Sequence, residues 1–153
     1  MDRSGSGRDV VGFVHLHTHS QYSMLDSTIR VEELVARAKE DGATAIAMTD
    51  HNNMFGAVEF YKAAHKQDIK PVLGSEVNIV GTDRRDVTVK RADTIVLLCA
   101  TDEGYGNLCY LLSRAHMDSP PQAHCPRIDR GLLTEHAAGL VALSGSLSGE
   151  IPQ

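Results

Sequence analysis

The amino-acid sequence predicts an α/β fold with about five mostly parallel strands and intervening helices. Short apolar runs that suit buried strands alternate with segments in which apolar residues recur at helical spacing. The connections are short, and such strand–helix–strand units join parallel strands by right-handed crossovers. Residues able to bind metal ions follow several strands, and parallel α/β folds place their sites at the carboxyl ends of strands. A barrel or an open sheet satisfies all three observations.

The first half of the chain carries three predicted strands and two predicted helices. Four apolar residues share one face of the first helix, which Gly42 ends as a C-terminal cap: Val31, Leu34, Val35 and Ala38. The second helix, running to about Lys66, is indicated by Phe55, Val58, Tyr61 and Ala64. The strands are predicted over Val10–Leu16, Ala45–Thr49 and Lys70–Val80.

The second half of the chain begins with a charged stretch, Thr82–Arg91, which predicts an exposed connection or a hairpin. A third amphipathic helix is marked by Leu108, Leu111, Leu112 and Ala115. Three prolines make Asp118–Pro126 a loop. The remaining predicted elements are a strand at Thr94–Cys99, a short helix at Arg130–His136 and a strand at Gly139–Leu143.

Composition argues against several classes of protein. At 153 residues the chain is one domain or part of one, and its formal net charge of −5 supplies no basic footprint for duplex DNA. No apolar run approaches the ~20 residues of a membrane span, and residues 1–10 predict a flexible start without an export signal. The three cysteines follow no CxxC spacing and fit a reduced compartment. We therefore expect a cytoplasmic protein.

Three histidines alternate at the end of the first predicted strand: His15, His17 and His19. Alternate side chains of an extended strand share one face and two residues span ~6.6 Å, so His17 and His19 can bind one ion. Imidazole and carboxylate ligands suit zinc, manganese or iron. The alternative is a solvated strand end, which is disfavoured in a chain with only 8 histidines. His15 is expected to be a buried supporting residue.

Carboxylates and a further histidine follow the later strands. Glu76 lies in the third predicted strand and can bridge to a second ion, and His51 follows the second strand. Asp26 either binds metal near His51 or caps the next helix. Asp50 is a candidate for orienting its neighbour His51, with a cap of the next turn as the alternative.

A cluster of two or three metal ions suits phosphoester hydrolysis. One ion lowers the pKa of bound water towards ~7, and another stabilises the leaving oxygen. The competing motif is Gly145–Gly149, which is superficially similar to a nucleophile elbow. It is disfavoured because no helix can be placed after it in this sequence.

At these residues the chain resembles the PHP (polymerase and histidinol phosphatase) domain. The version it resembles most is the one at the amino end of bacterial replicative DNA polymerase III alpha subunits. The similarity is carried by an ordered series of strings: Phe13–Ser20, Tyr22–Asp26, Ala47–His51, Phe55–Tyr61, Ile69–Gly74 and Leu143–Pro152. A lone His-x-His would be weak, whereas this series is specific.

The resemblance implies a distorted (β/α) barrel, here incomplete, with a partial PHP domain over residues 11–153. The family's metal ligands correspond in this chain to His17, His19, Asp26, His51 and Glu76. Divalent ions, zinc or manganese above all, are the implied cofactors, and active members hydrolyse phosphoesters. In some polymerase members this is 3′→5′ exonuclease proofreading. In others the domain is a scaffold and docking surface for a separate proofreading subunit.

The sequence departs from the family pattern at several positions. A family histidine corresponds to Thr94, a cysteine or histidine to Ser146, and two usual glycines to Ser27 and Asn52. The carboxyl-terminal Asp-x-His ligand pair is missing from the sequence, which stops at Gln153. The resemblance therefore implies an incomplete metal cluster and an unclosed barrel.

The main functional hypothesis is the PHP portion of a replicative DNA polymerase III alpha subunit, a nucleotidyltransferase whose polymerase site lies outside this sequence. We expect little or no nuclease activity from these residues alone, so whether the chain itself is an enzyme stays undecided. The expected partners are DNA, through the parent polymerase, and a proofreading subunit, with no membrane. The alternatives are a stand-alone metal-dependent phosphoesterase and a non-catalytic docking module. The exposed sheet edge of an unclosed barrel also predicts self-association.

Overall fold

Strands and helices alternate along residues 12–144, the part of the chain that the computed structural model describes. The strands are β1 (Ala45–Met48), β2 (Lys70–Val80), β3 (Asp93–Cys99), β4 (Ile128–Asp129) and β5 (Leu140–Leu143). The helices are α1 (Val31–Glu40), α2 (Ala57–Lys66), α3 (Asp102–Asp118) and α4 (Arg130–Glu135). The expected flexible start at 1–10, Ser146 and the Gly145–Gly149 motif lie outside the described residues.

The sheet is built around β2, which pairs in parallel with β1 and β4 and antiparallel with β3. β5 pairs antiparallel with β3, so β1, β2, β4 and β5 run in one direction and β3 runs against them. The predicted α/β class with mostly parallel strands is therefore confirmed. β3 is reversed because residues 81–92 contain no crossover helix, and a parallel neighbour needs one.

The first predicted strand is wrong over its described residues, which carry no strand assignment. The segment still lies beside β1, because the carbonyls of His15 and Thr18 accept hydrogen bonds from the amides of Ala47 and Thr49, each at 2.8 Å. These contacts hold the histidine segment against the edge of the sheet without a continuous ladder.

The helix α1 agrees with its predicted face, since Val31, Leu34, Val35 and Ala38 are all buried. Gly42 follows the last turn with a φ of +76°, the left-handed conformation that glycine adopts without a Cβ clash.

Of the four apolar residues that indicated the helix α2, only Ala64 lies on its buried face. Ala57, Phe60 and Ala64 pack into the core, whereas Phe55, Val58 and Tyr61 are 74%, 63% and 50% exposed. Both sets have helical spacing, and the helix begins only at Ala57. Periodicity alone does not choose between two apolar faces of one helix, and the packing of α2 against α1 and β1 makes that choice.

The two faces of the sheet have different coverings. Val77, Ile79, Ile95 and Leu97 pack against the predicted apolar face of α3 on one side. On the other side Val96 and Leu98 form a small cluster with Ala47. Glu76 is paired with Val96, so by strand alternation its side chain shares this second face.

The charged stretch predicted as an exposed connection or hairpin joins β2 to β3. Arg127, which is 2% exposed, donates hydrogen bonds to the carbonyls of Arg84, Asp86 and Val89 at 3.0, 2.7 and 2.6 Å. This one guanidinium therefore holds much of the connection.

Among the described residues, no helix has both the length and the apolar character that crossing a membrane requires.

Candidate metal centre

Two imidazoles converge on one carboxylate oxygen. His17 Nε2 lies 2.7 Å and His19 Nε2 lies 3.1 Å from Oε2 of Glu76. The candidate ligand atoms of these three residues all lie within 4.8 Å of one another. The histidine segment reaches Glu76 because it lies beside β1, and β1 is the parallel neighbour of β2.

Glu76 and His19 influence each other's protonation. Burial raises the pKa of Glu76, but hydrogen bonds from His19 and His17 and the charge of His51 outweigh burial and bring it to about 2. The hydrogen bond to Glu76 raises the pKa of His19 above its ordinary value of 6.5, against the opposing effect of burial. Glu76 is therefore an anion at neutral pH, as a bridging ligand must be.

A second pair lies next to this group. His51 Nε2 is 3.0 Å from Oδ2 of Asp26, and its Nδ1 is 3.8 Å from Oε2 of Glu76. Asp26 does not cap the following helix, because Arg30 occupies the N-cap position of α1 without a side-chain cap bond. The structure thus brings His51 within reach of two carboxylates, one on each side of its ring.

The hydrogen bonds of the Asp50 carboxylate go to Ser20 and Ser23 and not to the ring of His51. This carboxylate is 1% exposed and accepts hydrogen bonds from the hydroxyls of Ser20 and Ser23 and from the amide of Ser20, at 2.6 to 2.7 Å. Asp50 therefore contacts the loop that carries Asp26 rather than any of the predicted ligand side chains.

The loop after His51 is held by hydrogen bonds that the sequence did not indicate. Asn52 has a φ of +51°, which asparagine tolerates better than most residues, and this position is one where the resembling family carries glycine. The Asn52 amide donates to the Glu76 carbonyl at 2.8 Å. His116 of α3 lies with Nε2 2.9 Å from the Asn52 carbonyl. No spacing rule connects residues so far apart in the sequence.

Two further predictions concern residues near the centre. His15 is exposed and its ring contacts Phe13 at 4.7 Å, so the predicted buried supporting role is wrong. Thr94, which replaces a family histidine, pairs with Asn78 on the sheet face of Glu76. Its hydroxyl is buried and, within the described residues, has no hydrogen-bond partner.

The arranged side chains fit a divalent metal ion. Three imidazoles and two carboxylates are nitrogen and oxygen donors of the kind that zinc and manganese accept. Of these donors, His17, His19 and Glu76 surround a common point, because two imidazole nitrogens approach one carboxylate oxygen.

The family of the chain follows from comparison with known proteins. The model of the PHP domain matches residues 15–153, so the chain belongs to the PHP domain family. Two solved structures have similar folds over 67% of this chain and 32% of theirs. One is a candidate metal-dependent phosphoesterase from Bifidobacterium adolescentis, at 20% identity and a TM-score of 0.50. The other is an amidohydrolase from Chromobacterium violaceum, at 26% identity and a TM-score of 0.52.

More similar sequences come from one kind of protein. The chain is 45% identical over 145 residues to the DNA polymerase III subunit alpha of Chlamydia trachomatis, and 44% identical over 150 residues to that of Thermus aquaticus. Each match covers 92% of this chain but only 12% of the relative. The resemblance to the PHP domain of these subunits is confirmed.

Proposed function

We propose that this chain is the PHP portion of a replicative DNA polymerase III alpha subunit and that it binds divalent metal ions. The observation that carries the proposal is the convergence of His17 and His19 on one oxygen of Glu76. The similarity to DNA polymerase III alpha subunits supports the parent protein. Because the chain spans about 12% of those relatives, DNA synthesis is proposed for the parent and not for this chain.

The proposed metal centre has two parts. His17, His19 and Glu76 hold one ion, and Asp26 with His51 contributes to a second, with Glu76 available to both. Bound ions of this kind supply hydroxide at neutral pH and stabilise the leaving oxygen of a phosphoester. Since Thr94 cannot replace an imidazole ligand, we propose that the cluster is incomplete and that the chain alone has little or no nuclease activity.

Metal content per folded chain tests this proposal most directly. The protein is purified without chelator, and zinc and manganese are measured by elemental analysis before and after dialysis against Mn²⁺. We expect at least one ion per chain, and its loss in His17→Ala and in Glu76→Gln. Wild-type protein that stays folded and holds less than one ion after dialysis would refute the proposed centre.

A matched control comes from the same segment. His15→Ala removes an imidazole that is exposed and contacts Phe13 rather than Glu76. We expect its metal content to equal that of the wild type. Equal loss in all three variants would instead show that the segment as a whole, and not the convergence on Glu76, determines the metal content.

The nuclease prediction has its own assay. Single-stranded DNA with a labelled 3′ end is incubated with the chain and Mn²⁺, and we expect no degradation above the level of Glu76→Gln. Degradation that His17→Ala and Glu76→Gln both abolish would show that the partial cluster is active and would overturn this part of the proposal.

The proposed partners follow from the same parent protein. We propose contact with DNA through the parent polymerase, association with a replisome proofreading subunit, and a cytoplasmic location. A pull-down of a purified proofreading exonuclease by the immobilised chain tests the protein partner. Retention that exceeds an unrelated bait supports it, and no retention counts against it.

Self-association of the isolated chain is a further part of the proposal. Within the described residues β5 is an end strand of the sheet, and Val141 on it is 47% exposed. Phe55 and Val58 add exposed apolar surface on another side. Sedimentation at several concentrations tests this, and a monomer at every concentration would contradict it.

A further inference from the structure

We propose that Ser23 is a positioning residue that sets Asp26 and His51 against each other in the second part of the metal centre. This inference deepens the proposed function, and only its consequence for metal binding rests on that function. The positioning itself is a property of the metal-free chain.

Ser23 is hydrogen-bonded to the backbone amides of both Asp26 and His51. Its hydroxyl accepts a hydrogen bond from the His51 amide at 3.1 Å, and its carbonyl accepts one from the Asp26 amide at 2.9 Å. The side chains that these two backbone positions carry then meet, with His51 Nε2 3.0 Å from Asp26 Oδ2. One residue, itself 4% exposed, therefore links both sides of the contact.

Ser23 is in turn fixed by Asp50. The Ser23 hydroxyl donates to Oδ1 of Asp50 at 2.6 Å, which leaves its lone pairs free for the His51 amide. The Asp50 carbonyl accepts a hydrogen bond from the Ser75 hydroxyl at 2.7 Å, so Asp50 is tied to β2. A buried carboxylate is a strong acceptor, and the loop is held to the sheet through it.

Apolar packing does not hold the loop between Ser23 and Asp26. Met24 and Leu25 are 85% and 98% exposed, and the Asp26 side chain is 54% exposed. With so little buried surface, hydrogen bonds to Ser23 determine where Asp26 lies. The His17–His19–Glu76 group does not depend on the Ser23 hydroxyl, because the histidine segment is hydrogen-bonded to β1 and the Ser20–Asp50 bonds do not involve this hydroxyl. The Ser23 amide, which donates to the Ser20 carbonyl at 2.9 Å, is kept in Ser23→Ala.

Amide hydrogen exchange of the metal-free, 153-residue chain tests the positioning. Ser23→Ala removes the acceptor of the His51 amide and is expected to speed exchange of that amide by about tenfold, while core amides of α1 change little. Exchange of the Asp26 amide, which donates to the Ser23 carbonyl, is expected to rise less, because only the position of the Ser23 backbone changes. Ser23→Thr keeps the hydroxyl and is the rescue variant. Exchange of the His51 amide in Ser23→Ala within twofold of the wild type would overturn the proposal.

Ser119→Ala is the matched control for a lost loop hydroxyl. The Ser119 hydroxyl accepts a hydrogen bond from the Arg127 amide at 2.9 Å, away from the metal centre. It is expected to leave the Asp26 and His51 amides unchanged. If Ser23→Ala does not fold, Ser23→Cys, which keeps a weak donor of similar shape, is judged by the same criteria.

Titration with Mn²⁺ tests the consequence for the site. Ser23→Ala is expected to weaken the second binding step about tenfold and to leave the first unchanged. Equal weakening of both steps, or of neither, would overturn the proposal. If the wild type binds no Mn²⁺, the proposed function fails, while the exchange experiment still decides the role of Ser23.

Discussion

Replacing Glu76 by glutamine in the metal-free chain removes one charge at the point where two imidazoles meet. The depressed pKa of Glu76 means that its stabilisation is present above pH 4.5, the ordinary value, and is lost as the pH falls towards about 2. The raised pKa of His19 means that its stabilisation is present below pH 6.5 and is lost as the pH rises through its folded value. Both contributions are therefore present together between about pH 4.5 and 6.5.

The size of the effect follows from the pKa of Glu76. A shift from 4.5 to about 2 corresponds to an upper value of about 3.4 kcal/mol, at 1.36 kcal/mol for each pH unit. The side chain of Glu76 is 10% exposed, but those of His17 and His19 are 34% and 20% exposed, so solvent screens the interaction. We expect Glu76→Gln to lower the free energy of unfolding by about 1–2 kcal/mol near pH 5.5.

Urea unfolding followed by far-ultraviolet circular dichroism, with chelator present, measures this difference. Near pH 8.5 the gap between the wild type and Glu76→Gln is expected to shrink, because neutral imidazoles can donate to a glutamine oxygen as well. Glu40→Gln is the control, since Glu40 forms an exposed pair with Arg37 and should have almost no effect. The reasoning is refuted if Glu76→Gln is as stable as the wild type near pH 5.5, or if the gap widens with rising pH.

Three other predictions concern the fold and the metal centre. Gly104→Ala is expected to unfold the chain or destabilise it severely, because a Cβ there would collide with the Gly139 carbonyl. The control is Gly106→Ala on the same helix, where a Cβ meets nothing, and a thermal melt should show a free energy of unfolding higher by up to about 1 kcal/mol. Arg127→Lys is expected to speed tryptic cleavage between β2 and β3, since an ammonium cannot reach three separate carbonyls; unchanged cleavage would count against this role. Mn²⁺ affinity is expected to fall as the pH drops through the raised pKa of His19, because protons compete with the ion. Titration calorimetry at several pH values measures this affinity, and an affinity that does not change with pH would contradict the prediction.

Local sequence was enough for most of the elements. The spacing of Leu108, Leu111, Leu112 and Ala115 predicted the buried face of α3 correctly, and the strand predicted at Lys70–Val80 has the bounds of β2. The apolar residues of α2 form two faces of helical spacing, so the spacing predicted a helix there but did not show which face is buried.

The candidate metal centre was also predicted in part from local sequence and decided in part by tertiary contacts. The alternating histidines and the order of the motifs were enough to select His17, His19, Asp26, His51 and Glu76 as candidate ligands. That His17 and His19 both reach Oε2 of Glu76 was decided by the parallel pairing of β1 with β2, which joins residues 57 and 59 positions apart. The role of Ser23 had no sequence signal, because a serine in a polar loop is common.

The sequence by itself determined the class of fold, the positions of most strands and helices, and the types of ligand available to a metal ion. Those properties depend on burial periodicity and side-chain chemistry, which act within a few residues. Only the tertiary structure decided the reversed direction of β3, the buried face of α2 and the hydrogen bonds that hold Asp26 near His51. These depend on contacts between distant segments, and local spacing contains no information about which segments meet.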